Sequence, residues 1–249
     1  MSSDPLFYLV ASATVVCFGL AKGGFVGIGF LATPLLALAV PPMQAVTTLL
    51  PIMLVQDAVS VWAYRRTWDR WNLLVMLPGV LIGIAIAGLI VARVTIDSHI
   101  RLVVGLTVLA LVIEHWIGSG APRRRPPAIL GIFSGIASGF AGLLANAASG
   151  PFLTYVLPQR LEKEVFVGTT AIFFAATDII KVPPLVLTQQ FSSSGLIRSA
   201  LLLPLAIVTN FLGIWLVRRT STHLFYRIAY WLVFGVALAL IAQGMSGVT

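Results

Sequence analysis

Charge is scarce in this sequence. Asp, Glu, Lys and Arg make up only 10% of its 249 residues, against about a quarter in an ordinary soluble domain. No interval between its apolar runs is long enough to form a separate soluble domain, so a soluble enzyme or a string of soluble modules is excluded. Cysteine occurs once, at Cys17, which excludes an intrachain disulfide and a cysteine metal site and leaves packing as its role. Of the three histidines, His99 and His223 lie in loops and His115 at the end of an apolar run, and no metal site assembles from them. No ATP-binding motif is present. "GGFVGIG", residues 23–29, has neither the strand nor the following ribose-binding acid of a dinucleotide fold. No cofactor, no metal and no catalytic group is therefore expected.

What fills the chain instead is apolar sequence. Hydrophobic residues make up 59% and the mean hydropathy is +1.00. Apolar blocks run over 6–21, 25–40, 43–64, 72–92, 102–117, 128–157, 165–187, 195–217 and 228–242, most near the ~20 residues a helical span needs. Their continuity argues for helices, because barrel strands alternate polar and apolar residues. The start, "MSSDPLFYLVASATVV", has an acid and no base before its apolar run, so it reads as a structural helix and not as a cleavable signal. The net charge of +8 resides mostly in short loops beside spans, where the positive-inside rule accounts for it. No nucleic acid is expected as a partner, and lipid is.

The chain repeats itself. Gly19-Leu20-Ala21-Lys22-Gly23 aligns with Gly135-Ile136-Ala137-Ser138-Gly139, and Ala32-Thr33-Pro34-Leu35-Leu36 with Ser149-Gly150-Pro151-Phe152-Leu153. In the same order Thr47-Thr48 meets Thr169-Thr170, Gln56-Asp57 meets Thr177-Asp178, Leu77-Pro78 meets Leu203-Pro204, and Gly88 meets Gly213. Such internal repeats define many transporter folds. The division expected is a first transmembrane repeat over 1–117, a basic linker over 118–127 containing "PRRR", and a second repeat over 128–249.

The basic residues indicate how the repeats cross. If 6–40 and 128–157 each crossed once, the loops would hold six basic residues on one side and seven on the other. If each makes an even number of crossings, loops 65–71, 117–127, 157–164 and 218–227 share eleven basic residues, and the other side keeps only Arg93 and Arg101. The second arrangement obeys the positive-inside rule. It implies an all-α integral membrane fold of two inverted-topology repeats, each a broken or re-entrant Gly-rich segment plus three transmembrane helices. The linker is then cytoplasmic and both termini are non-cytoplasmic.

Gly19, Gly23, Gly24, Gly27 and Gly29 surround Lys22, although each glycine costs a helix roughly 1 kcal/mol relative to alanine. Thr33-Pro34 and Gly150-Pro151 read as helix restarts, since proline suits a first turn. Two restarts at depth would aim free NH groups and positive dipole ends at one anion. Lys22 would add a full charge, with Gly23, Gly24, Gly27, Thr33, Asn146, Ser149 and Gly150 around it. Two other readings stand beside this one. Gly19-x-x-x-Gly23-x-x-x-Gly27 and Gly131-x-x-x-Gly135-x-x-x-Gly139 also fit a helix-packing ridge, and Lys22 lies at the cytoplasmic surface if 6–21 and 25–40 are two full spans.

Two acids, Asp57 and Asp178, lie well inside spans and at matching repeat positions. Ionisable groups at such depth are costly and are functional candidates by default. Lys181, three residues after Asp178, neutralises it on one helix face or serves in coupling beside it. Asp57 has Ser60 where such a lysine would stand, so Lys22 is its candidate partner. With Lys22, Lys181, Asp57 and Asp178 all ionised the interior is neutral, and admitting an anion calls for a proton on one aspartate. Thr48 and Thr170 are candidate hydroxyl donors, or bond their own helix carbonyls. Glu114-His115 beside Trp116 reads as interfacial, and "YRRTWDRWN" (64–72) as an anchoring belt. Asp69 and Ser194 read as N-caps. Gly79-x-x-x-Gly83 permits a homodimer through a surface face.

In "GLAKGGFVGIGFLATPLL…AVTTLL…YRRTW" and "GIASGFAGLLANAASGPFL…VGTTAIF" the chain resembles the sulfite exporter TauE/SafE family of bacterial membrane permeases, over nearly its whole length. The resemblance implies a secondary transporter that moves a sulfur-containing oxyanion, sulfite or an organosulfonate, across the bacterial inner membrane. A membrane-embedded accessory subunit, which would bind without flux, and an uncoupled anion channel are the alternatives.

Overall fold

A computed structural model of the chain describes residues 5–32, 36, 42–90, 109, 113, 125–187 and 192–246. Among them there is no strand. The helices are α1 (Pro5–Gly23), α2 (Pro42–Tyr64), α3 (Arg70–Ile90), α4 (Ala128–Ala145), α5 (Ser149–Val156), α6 (Lys163–Leu187), α7 (Ser193–Arg219) and α8 (Thr222–Ser246), with 3-10 turns at Val26–Leu31 and Leu157–Gln159. Among the described residues four stretches are long and apolar enough to cross a membrane: Val46–Tyr64, Arg70–Leu89, Lys163–Leu187 and Gly195–Arg219. The Thr33-Pro34 restart, the span at 102–117, His99 and Glu114-His115 lie outside the described residues, apart from Leu109 and Ile113.

Both Gly-rich segments break. α1 ends where Gly24 takes φ +140°, a backbone conformation that a side chain would strain. The chain then continues as the 3-10 turn. α4 ends at Asn146, which is left-handed at φ 52° and returns its NH to the Gly142 carbonyl at 3.1 Å. α5 follows at once, with Pro151 in its first turn, the helix restart expected from "SGP". Pro78 and Pro204, matched in the repeat, both sit inside helices.

The described chain forms two compact units, Met1–Trp68 with Val167–Thr220, and Asp69–Phe166 with Ser221–Thr249. Each takes segments from both halves of the sequence. In the first unit α1 presents Phe7, Ala11, Val15 and Phe18, a stripe at helical spacing, to a core containing Ile52 and Met53 of α2 and Leu202 and Ala206 of α7. α1 also crosses α7 closely: a Cβ on Gly23 would lie 2.6 Å from the Gly213 backbone. In the second unit α3 and α4 cross just as closely. A Cβ on Gly79 or Gly83 would strike the Ile132 or Ile136 carbonyl, and one on Gly135 the Met76 carbonyl. The Gly-rich helix of each half thus pairs with the corresponding helix of the other half. The packing-ridge reading holds for Gly23, Gly131 and Gly135. The surface role expected for Gly79-x-x-x-Gly83 does not hold, because α4 covers that face.

Smaller features position the ends. Asp69 Oδ1 accepts from the Asn72 NH at 2.9 Å, the expected cap of α3. The α7 cap is Ser192 and not Ser194: its hydroxyl accepts from the Gly195 NH at 3.1 Å. All three serines of "SSS" satisfy the capping chemistry, and the helix takes the earliest one. In the second unit Asn72 and Gln159, both buried, exchange amide hydrogen bonds of 3.1 and 2.9 Å.

Candidate functional site

The break after Gly23 leaves the last four carbonyls of α1 without helical partners, and all four find donors. Leu20 O takes the Phe25 NH at 3.1 Å and Ala21 O the Gly24 NH at 3.0 Å. Lys22 O takes the Ser60 hydroxyl at 2.8 Å and Gly23 O the Tyr64 hydroxyl at 3.1 Å. Asp57, Ser60 and Tyr64 are i, i+3 and i+7 on α2, one stripe of that helix. A single face of α2 therefore holds the backbone end of α1 and, through Asp57, the ammonium of Lys22. α7 steadies this face in turn: Asn210 Nδ2 donates to Gln56 O at 2.5 Å and Gln56 Nε2 to Ala206 O at 3.3 Å.

Lys22 Nζ lies 2.5 Å from Asp57 Oδ1 and 2.6 Å from Asp178 Oδ2, and Lys181 Nζ lies 2.5 Å from Asp178 Oδ1. The four charges form an alternating row, Asp57, Lys22, Asp178, Lys181, with no residue more than 8% exposed. The Phe174 ring stands 5.6 Å from Lys22 Nζ. Lys22 is thus inside the protein and not at its surface, and the pairing with Asp57 is the one expected. The row sums to zero, and three contacts offset the desolvation that isolated charges would suffer. One acceptor is left over: Asp57 Oδ2 is buried and has no hydrogen-bond partner among the described residues.

The other candidates fall in several places. Gly23 sits on the α7 crossing, and Gly24 forms the break with its NH committed to Ala21. Gly27 belongs to the 3-10 turn, and Thr33 lies outside the described residues. Thr48 and Thr170 are buried in the first unit. They precede Asp57 and Asp178 by nine and eight residues, about 12–14 Å along their helices, so neither is beside the charged row. The Thr48 carbonyl takes the Ser199 hydroxyl at 2.5 Å, and Thr47 bonds its own helix at Gln44 O, 3.3 Å away. Asn146, Ser149 and Gly150 lie in the second unit at the α4–α5 break. Ser138, the repeat partner of Lys22, is fully buried in that unit, and its hydroxyl has no hydrogen-bond partner among the described residues.

Ser60, Tyr64, Gln56 and Asn210 were not expected to hold the end of α1 or to brace α2. The available signal was the i, i+3, i+7 stripe beginning at Asp57, which places two hydroxyls in line with the acid.

Long apolar helices, two broken glycine-rich segments and a neutral row of buried charges define a multi-pass membrane protein with paired charges in its interior. The sequence model of one family, sulfite exporter TauE/SafE, matches residues 11–240. The chain belongs to that family, and with it to the membrane transporters of sulfite and related sulfur anions. No curated protein and no solved structure matches the chain.

Proposed function

We propose that this chain is a secondary transporter that carries a small sulfur-containing oxyanion, sulfite or an organosulfonate, across the bacterial inner membrane together with a proton. The observation that carries the proposal is the free oxygen of Asp57 at the end of the row. A proton taken up on Asp57 Oδ2 removes the charge that holds Lys22 on that side. The third N–H of the ammonium, which neither aspartate takes, then faces an anion with one positive charge left unbalanced. With Asp57 neutral, Lys22, Asp178 and Lys181 sum to +1, and a monoanion restores zero. The occupied and empty sites carry the same charge, which avoids the cost of a net charge in a low-dielectric interior.

Proteoliposome flux of sulfite and small organosulfonates under an imposed pH gradient tests this. Wild type is expected to show saturable, electroneutral flux that follows the proton gradient. Asp57→Asn fixes the site at +1, so anion binding becomes independent of pH and gradient-driven flux is lost. Flux of none of these anions through folded, inserted protein would remove the substrate class. Conductance that does not saturate would make the protein a channel.

The inverted two-repeat organisation belongs to the same proposal and is supported by the reciprocal pairing of α1 with α7 and α4 with α3. A reporter fused at the C-terminus should be active on the non-cytoplasmic side.

A further inference from the structure

In the second unit a cavity of about 750 Å³ opens where the loop at residues 160–162 meets the first turns of α8. Arg160, Glu162, His223, Tyr226, Arg227 and Trp231 are among its walls. Nothing in the transport reading uses it.

The pocket is built. The Tyr226 hydroxyl donates to the Leu161 carbonyl, tying loop to helix. Phe166, Phe225 and Tyr226 meet ring to ring, with centroids 5.8 Å apart for Phe166–Phe225 and 5.9 Å for Phe166–Tyr226, which fixes the helix beside it. Its chemistry is graded along α8. Residues 222–227 are largely polar, and the apolar run begins at 228. Arg160, His223 and Arg227 therefore stand at the polar end, while Tyr230 and Trp231 reach into the apolar run. That is the level at which basic and aromatic side chains meet headgroups in a membrane. Two arginines face one glutamate, so the polar end favours an anion.

We infer that this pocket binds an anionic phospholipid, its phosphodiester between Arg160 and Arg227 and its glycerol and first methylenes against Tyr230 and Trp231. The choice of lipid over free phosphate rests on size and grading. The cavity falls within the ~300–1,000 Å³ range of sites for drug-sized ligands, and an inorganic ion would leave its aromatic end empty.

The test is native mass spectrometry of the full chain titrated with phosphatidylglycerol or phosphatidylcholine, alongside thermal unfolding with inorganic phosphate. Wild type should retain phosphatidylglycerol preferentially. Each arginine should contribute about fivefold to that preference, so Arg227→Gln weakens it by that factor and Arg160→Gln with Arg227→Gln nearly abolishes it. Arg65→Gln, an equal charge change at an exposed site in the other unit, should leave it intact. Arg227 is exposed, so its single variant carries the test if the double variant fails to fold. Equal retention of both lipids, or equal losses from Arg227→Gln and Arg65→Gln, would overturn the assignment. Stabilisation by inorganic phosphate that Arg227→Gln abolishes would overturn it in favour of a free-anion site.

Discussion

Lys22 holds two aspartates at once, so its removal is more damaging than the loss of an ordinary ion pair. Lys22→Gln leaves Asp57 and Asp178 facing only Lys181, and breaking a buried pair costs about 3–5 kcal/mol. Adding Asp57→Asn to it restores neutrality with the Asp178–Lys181 pair intact. The double variant should recover most of the thermal stability lost by Lys22→Gln, measured by unfolding in detergent, while still failing to transport. Ser60→Ala and Tyr64→Phe each orphan one carbonyl at the end of α1, at a cost of about 1–3 kcal/mol, visible in the same measurement. The four charged residues were legible in the sequence because a charge inside an apolar run is rare enough to draw attention. Ser60, Tyr64 and Asn210 were not, since uncharged polar residues are common in membrane helices and their value depends on what the fold brings opposite them.

At the scale of helices the glycines decide. Gly79→Ala and Gly135→Ala place a methyl against a backbone carbonyl, which no rotamer change relieves, so both should abolish recovery of monodisperse protein after solubilisation. Gly235→Ala meets nothing within 4 Å and should be neutral or stabilising by about 0.5–1 kcal/mol through helix propensity. Small-residue spacing announced a close crossing but not its partner. The same pattern fits an outward dimer face and an inward contact, and only the position of α4 shows that Gly79 and Gly83 are used within the chain. The break in the second Gly-rich segment was legible from "SGP", because proline punctuates locally. The committed NH of Gly24 was not, because that bond depends on how α1 terminates.

For the molecule as a whole, the helical membrane class was readable from the long apolar runs, while the inverted repeat and the orientation drawn from the basic loops belong to the proposal. The close glycine crossings were not readable, since sequence order places each Gly-rich helix beside its own half and those crossings are made with a helix of the other. The proton-coupled reading makes a prediction at this scale too. If each anion crosses with one proton, a membrane potential alone should drive no flux, and potassium–valinomycin clamping of the proteoliposomes checks that.

Pairing between the halves also sets a timetable for synthesis. Lys22 and Asp178 are 156 residues apart, so at ~5–20 residues per second the ribosome needs roughly 8–30 s to supply the second carboxylate after the lysine. During that interval the nascent chain holds Lys22 with Asp57 as its only described acid partner, and α1 has no α7 to receive its glycines. Until α7 is made, α1 is half of an interface. Nascent chains stalled before residue 178 should therefore be the preferred substrates of membrane quality control.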